Sequence, residues 1–128
     1  MPSQKRKLGD IGEKIAGDYL KKEGYQILEQ NYQKPWGEID LITRKKKELI
    51  FIEVKTRTVQ SRQSLKYAYP EENVDWFKRK KLIRTAKTYL AEKSYPPETT
   101  WQIDVIAIEL NLQTRKANLK HFKNVVWQ

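Results

Sequence analysis

The stretch Gly37-Glu38-Ile39-Asp40-Leu41-Ile42, followed after a basic turn by Ile50-Phe51-Ile52-Glu53-Val54-Lys55, decides how this chain folds. Both halves are rich in β-branched and aromatic residues, which pack well on a pleated surface. Gly37 on one side and Arg44 to Glu48 on the other supply the turns. Each strand nevertheless carries charge, Asp40 in the first and Glu53 with Lys55 in the second. Charged groups are poor strand formers and are rarely buried unpaired, so something is expected to use them.

Side chains alternate faces along a strand. A hairpin with the loop Lys45 to Glu48 sets Arg44 opposite Leu49, Ile42 opposite Phe51, Asp40 opposite Glu53 and Glu38 opposite Lys55. Asp40, Glu53 and Lys55 then share one face. Ile39, Leu41, Ile50, Ile52 and Val54 share the other, an apolar surface for a helix to cover. Two carboxylates directly opposite each other repel, and a bound cation removes that penalty. Mg²⁺ prefers oxygen ligands and is usually held by one or two carboxylates plus water and substrate phosphate. Asp40, Glu53 and the Val54 carbonyl are therefore candidate ligands for Mg²⁺ (or Mn²⁺), at which a phosphodiester is polarised and a water activated. Lys55 beside them is a candidate to orient that water, to take its proton, or to stabilise the developing charge. The plainer alternative is a structural carboxylate salt-bridged to Lys55 or Arg57.

Outward from this pair, residues 5 to 23 read as a helix with Leu8, Ile11, Ile15, Tyr19 and Leu20 at helical spacing and Gly24 as the stop. Gly9, Gly12 and Gly17 weaken it by about 1 kcal/mol each and point to something packed very close. Glu13 falls at the flank of the apolar stripe and is a candidate to complete a metal shell, directly or through water. Tyr25 to Tyr32 read as a strand. Arg57 to Tyr69 form a long polar connection holding Arg57, Arg62 and Lys66. Residues 74 to 92 read as a second helix with Leu82, Ile83, Ala86, Tyr89 and Leu90 on its apolar side. Its run Lys78-Arg79-Lys80-Lys81 is either a solvated face or a phosphate-binding stripe. Trp101 to Leu110 read as a strand with Asp104 as a structural carboxylate, Asn111 to Lys116 as a turn, and Leu119 to Trp127 as a last short strand. The expected architecture is one α/β domain over residues 1–128, a central mixed sheet flanked by helices.

Composition narrows the function. The formal net charge of +10 over 128 residues points to a polyanionic partner, nucleic acid before an acidic membrane surface. The absence of cysteine excludes a disulfide framework, thiolate zinc and a cysteine nucleophile. The single histidine, His121, excludes a multi-histidine zinc site. No apolar run approaches the length of a membrane span, so a cytoplasmic protein with no membrane partner is expected. The aromatics Trp36, Tyr67, Tyr69 and Trp76 offer base stacking to a non-catalytic nucleic-acid-binding module, the alternative to an enzyme.

Asp40 and Glu53-Val54-Lys55, after a helix with Glu13, resemble the PD-(D/E)xK nuclease superfamily. The fit is closer to the YraN family of bacterial proteins. It rests on Gly9-Asp10-Ile11-Gly12-Glu13, Gly24-Tyr25, Asn31-Tyr32, Gly37 to Ile42, Glu53 to Arg57, and Asp104-Val105-Ile106. The resemblance implies a restriction-endonuclease-like fold, similar also to archaeal Holliday-junction resolvases. It implies Glu13, Asp40 and Glu53 as metal ligands and Lys55 as the catalytic lysine. Arg57 and Lys78 would contact phosphate, with Lys80, Lys81, Arg62 and Lys66 as further contacts from the basic segments. The implied substrate is DNA, branched or structured DNA above all, and a four-way junction would call for a two-fold homodimer. The superfamily's proline is absent before Asp40, and the family's Arg-Phe before Asp104 is Gln102-Ile103.

Overall fold

A computed structural model describes residues 3–59 and 76–125. Among them are two helices and five strands: α1 (Gln4–Lys22), β1 (Gln26–Lys34), β2 (Gly37–Lys45), β3 (Glu48–Val59), α2 (Trp76–Glu92), β4 (Trp101–Asn111) and β5 (Lys116–Phe122). The strands form one sheet in the order β1-β2-β3-β4-β5. Only the β3–β4 pair is parallel, and α2 lies in the connection between those two strands. The expected α/β domain with a mixed sheet is the fold found.

The helices cover opposite faces of the sheet. Ala16 and Leu20 of α1 pack on Leu41, Ile50, Ile52, Ile106 and Ile108. Leu82, Ala86 and Tyr89 of α2 pack on Ile42, Leu49, Phe51, Ile103 and Val105. The central strands β3 and β4 are apolar on both faces, as strands buried between two helical layers must be. Phe51, fully buried, meets Tyr89 and Trp101 edge-on, with ring centres 5.8 and 5.7 Å away. Ser3 caps α1 by accepting the Arg6 N–H at 3.1 Å, and Gly24, at φ +89°, ends it, with the Tyr25 N–H returning to the Leu20 carbonyl.

Three expectations are corrected. The last strand is Lys116–Phe122, so it starts three residues before the expected Leu119 and ends at Phe122, and the end of the expected segment lies outside the described residues. Ile39 packs with Ile42 and Phe51 under α2, not with Leu41 and Ile52. The alternation of β2 therefore slips at Asp40, opposite Asn31, which takes the left-handed conformation at φ +52°. Finally, only one of the three α1 glycines marks a close approach. A Cβ on Gly12 would fall 1.8 Å from Thr56 Oγ1 on β3, whereas one on Gly9 would meet nothing within 4 Å.

That contrast gives an expected result in one helix. Gly9→Ala should stabilise by about 0.5–1 kcal/mol, the ordinary helix preference for alanine. Gly12→Ala gains the same propensity but must push α1 off β3, an overpacking cost of about 1–3 kcal/mol, so it should destabilise. Urea denaturation of the two variants reads the opposite signs. Stabilisation by both would mean that Gly12 does not seat the helix.

Candidate active site

The ladder between β2 and β3 runs from Lys45–Glu48 through Arg44–Leu49 and Ile42–Phe51 to Leu41–Ile52 and stops there. The register is the expected one, closed by a two-residue turn with Lys46 at φ +57°. The last two expected pairs, Asp40 with Glu53 and Glu38 with Lys55, do not form. Instead the strands part, and the Val54 N–H donates to Asp40 Oδ2 at 2.7 Å across the gap. A residue's N–H and C=O point to the same side of a strand, so the Val54 carbonyl also faces this gap. Two clefts, of ≈ 450 and ≈ 360 Å³, open beside Asp40 and Val54. The first is bordered by Glu13 and Asp10 of α1. The second is bordered by Glu53, Lys55 and, from α2, Lys78 and Lys81.

Taking carboxylates out of water makes them hold protons. Burial pushes Asp40 up from 3.8 to about 7, against the Val54 N–H, which lowers it, and Glu13, Glu53 and Glu38 raise it further. Glu13 is also raised, by burial first and then by Asp10 and Glu38. Glu53 divides its two oxygens. Oε1 faces the Lys78 ammonium at 3.1 Å and the Lys55 ammonium at 3.4 Å. Oε2 is buried with no hydrogen-bond partner among the described residues. An orphaned carboxylate oxygen beside a protonatable aspartate is the chemistry a hard cation relieves. Among the described residues no three ligating side chains are gathered tightly enough to hold a metal alone. The donor set fits an open Mg²⁺ site with two carboxylates and a carbonyl, Glu13 of α1 bordering the cleft beside Asp40 and Val54. Lys55 is lowered by burial and by the neighbouring Lys78, while Glu53 opposes the shift.

The other expected residues divide. Lys78 stands on Glu53, at the edge of the carboxylate cleft. Lys81 borders the same cleft, and Lys80 is exposed on α2. Arg57 is held by Glu109 of β4, Nη2 to Oε2 at 2.9 Å, with the glutamate almost fully buried. Arg62 and Lys66, like Tyr67 and Tyr69, lie outside the described residues. Glu109 is the partner of Arg57 that strand alternation alone did not single out. It sits in the run Ile106-Ala107-Ile108-Glu109, an acid among apolar residues like Glu53, and the same reasoning finds it. Asp104 and His121 lie elsewhere, buried on the α1 side and bonded at 2.7 Å.

Comparison with known proteins agrees along most of the chain. The model of the "Uncharacterised protein family UPF0102" matches residues 12–108. A UPF0102 protein of Caldanaerobacter subterraneus subsp. tengcongensis is 43% identical over 110 residues, 84% of this chain and 83% of its own length. One of Clostridium acetobutylicum is 43% identical over 119 residues, 93% of each chain. One of Moorella thermoacetica is 38% identical over 123 residues, 96% of this chain and 98% of the relative. Among solved structures, Pyrococcus furiosus SfsA in complex with Ca²⁺ overlays at a TM-score of 0.42 and 15% identity, over 93% of this chain and 63% of that one. With its family model spanning most of the sequence and relatives matched nearly end to end, this chain belongs to the UPF0102 family, the YraN family of endonuclease-like proteins.

Proposed function

We propose that this chain is a Mg²⁺- or Mn²⁺-dependent endonuclease that hydrolyses phosphodiester bonds in DNA, branched or structured DNA first, in the cytoplasm. The observation that carries the proposal is Glu53. One of its oxygens is buried without a partner and the other is gripped by two lysines, next to an Asp40 that burial has made a proton acceptor near neutrality. A divalent ion there would polarise the phosphate and acidify a water. Asp40, Glu53 and the Val54 carbonyl would hold the ion, and Glu13 would reach it through water. Lys55, its proton affinity lowered, is suited to take the proton of the attacking water or to hydrogen-bond the phosphate. Lys78 fixes Glu53, and Arg57, anchored on Glu109, and Lys81 offer cationic contacts to flanking phosphates. No helix among the described residues is long and apolar enough to cross a membrane. Action on a four-way junction would require a two-fold dimer to make symmetric cuts.

Labelled linear, flapped and four-way DNA, incubated with the protein in Mg²⁺ or Mn²⁺, tests this. Cleavage of at least one substrate, lost in Asp40→Ala, is expected. No cleavage of any, or cleavage that survives the substitution, sinks the proposal. The second reading, a binding module on a nuclease fold, is favoured by the two lysines that already neutralise Glu53. Mn²⁺ titration separates the two. A saturable site that disappears in Glu53→Ala supports the enzyme, and absence of any such site supports the module.

A further inference from the structure

The β1–β2 turn and one edge of α2 meet beside the carboxylate cleft. Gly37 seats the turn, because a Cβ there would lie 2.7 Å from Thr85 Oγ1. The residue before it, Trp36, is only partly buried. The Arg84 guanidinium carbon stands 4.2 Å from the centre of its ring. The indole N–H is buried and finds no acceptor among the described residues, so this pairing leaves a donor unsatisfied. Lys78, Lys81 and Arg84 follow one another at three-residue spacing on one side of α2, and the first two border the cleft with Asp40 and Glu53. At about 1.5 Å per residue, Arg84 lies about 9 Å along the helix from Lys78. That is two to three steps of stacked DNA at about 3.4 Å each, and fewer of an unstacked strand, whose backbone is more extended.

We infer that Trp36 and Arg84 form a stacking platform for one unstacked DNA base, within about three nucleotides of the phosphate at Glu53 and Lys55, so that the cleft accepts DNA carrying a single-stranded arm rather than continuous duplex. A base inside a duplex shows a protein its edges, and its face becomes available only when it leaves the stack. An aromatic ring and an arginine plane take any base by its face, without reading sequence. Lys78 and Lys81 neutralise the phosphates between the platform and the carboxylates. This inference rests on the cleft being the phosphodiester site.

The test is binding in EDTA, where hydrolysis does not enter. Fluorescence anisotropy compares a blunt duplex with a duplex of the same paired sequence bearing a single-stranded arm. The wild type should prefer the armed DNA. Trp36→Ala should lose about tenfold on the armed DNA, within the range of one stacked base, and less than about twofold on the blunt duplex. Trp36→Phe, which keeps a stacking face and the fold, should retain the preference, and Arg84→Gln should lose part of it. A wild type with no preference, no DNA binding, or an equal loss on both DNAs in Trp36→Ala overturns the inference. Cleavage in Mg²⁺ without this discrimination would leave the nuclease reading standing and remove the platform. Discrimination without cleavage would do the reverse.

Discussion

Asp40→Asn should abolish the proposed hydrolysis and yet make the metal-free protein more stable above neutral pH. The asparagine keeps an oxygen for the Val54 N–H, so the link across the parted strands survives. What disappears is a carboxylate that burial has raised from 3.8 to about 7. A raised carboxylate pKa means that the folded state binds the proton more tightly than the unfolded chain does. Its contribution is therefore fully present below about pH 4 and is lost as pH rises through about 7. The loss accumulates at about 1.4 kcal/mol per pH unit between those values and then levels, a total on the order of 4 kcal/mol. Denaturation in EDTA should show the variant gaining on the wild type by about 2–3 kcal/mol between pH 5 and pH 8. Because a proton and a cation compete for the same oxygens, Mn²⁺ affinity of the wild type should rise about tenfold per pH unit up to about 7 and flatten above it. A stability difference that does not change with pH would mean that Asp40 is not desolvated. An Mn²⁺ affinity that is flat from pH 5 to 8 would mean that the ion binds elsewhere.

The site explains why this cost persists. Removing Asp40 relieves repulsion among Glu13, Glu38, Asp40 and Glu53, so the fold is held against its own electrostatics at the place where chemistry is proposed. Hydrophobic burial on both faces offsets the cost. Ile39, Leu41, Ile52 and Val105 flank the site and are all nearly or fully buried. In the same way Lys55 and Lys78 crowd together because both face Glu53.

The hairpin was legible in the sequence because strand alternation has a period of two and a short loop fixes the register. Arg44, Ile42 and Phe51 paired as the pattern required. The parting of the strands beyond Leu41 was not legible from β2 and β3 alone. It accompanies a slip opposite Asn31, in a neighbouring strand, and the one local signal is that asparagine tolerates the left-handed conformation better than most residues. Glu13 could be placed on the flank of a helix, but its position beside the cleft depends on Gly12 letting α1 lie against Thr56. Lys78 was visible as charge and not as a partner of Glu53, since only the packing of α2 brings them together. Glu109 was legible by the rule that found Glu53: a carboxylate in an apolar strand needs a counterpart, and here it is Arg57.

Asp104→Ala should be the most destabilising single substitution away from the cleft, while leaving the proposed Mn²⁺ site of the folded molecules intact. The carboxylate is fully buried and fully used. Oδ1 accepts the Gln102 Nε2–H at 2.8 Å and the Asn124 N–H at 2.9 Å, and Oδ2 pairs with His121 Nε2 at 2.7 Å. With His121 donating from Nε2, its Nδ1 accepts the Tyr19 hydroxyl at 2.8 Å. Four separate parts of the chain, α1, β4, β5 and the residues after β5, are tied to one another through this carboxylate. Alanine would strand three donors at once, the buried His121 Nε2–H and the part-buried Gln102 and Asn124 N–H groups, a cost of about 3–5 kcal/mol, comparable to breaking a buried ion pair. Asp104→Asn should cost less, about 1–2 kcal/mol, because its oxygen still accepts from Gln102 and Asn124 while the histidine can reverse its tautomer toward Tyr19. The order of the three residues, hydroxyl to imidazole to carboxylate, is that of a proton relay. Burial argues against that use, since the His121 side chain is 5% exposed and that of Asp104 not at all. Urea denaturation and Mn²⁺ titration on the same samples separate the two roles. Loss of stability with unchanged stoichiometry and affinity is the structural outcome. Unchanged stability with loss of cleavage would move His121 and Asp104 into the chemistry.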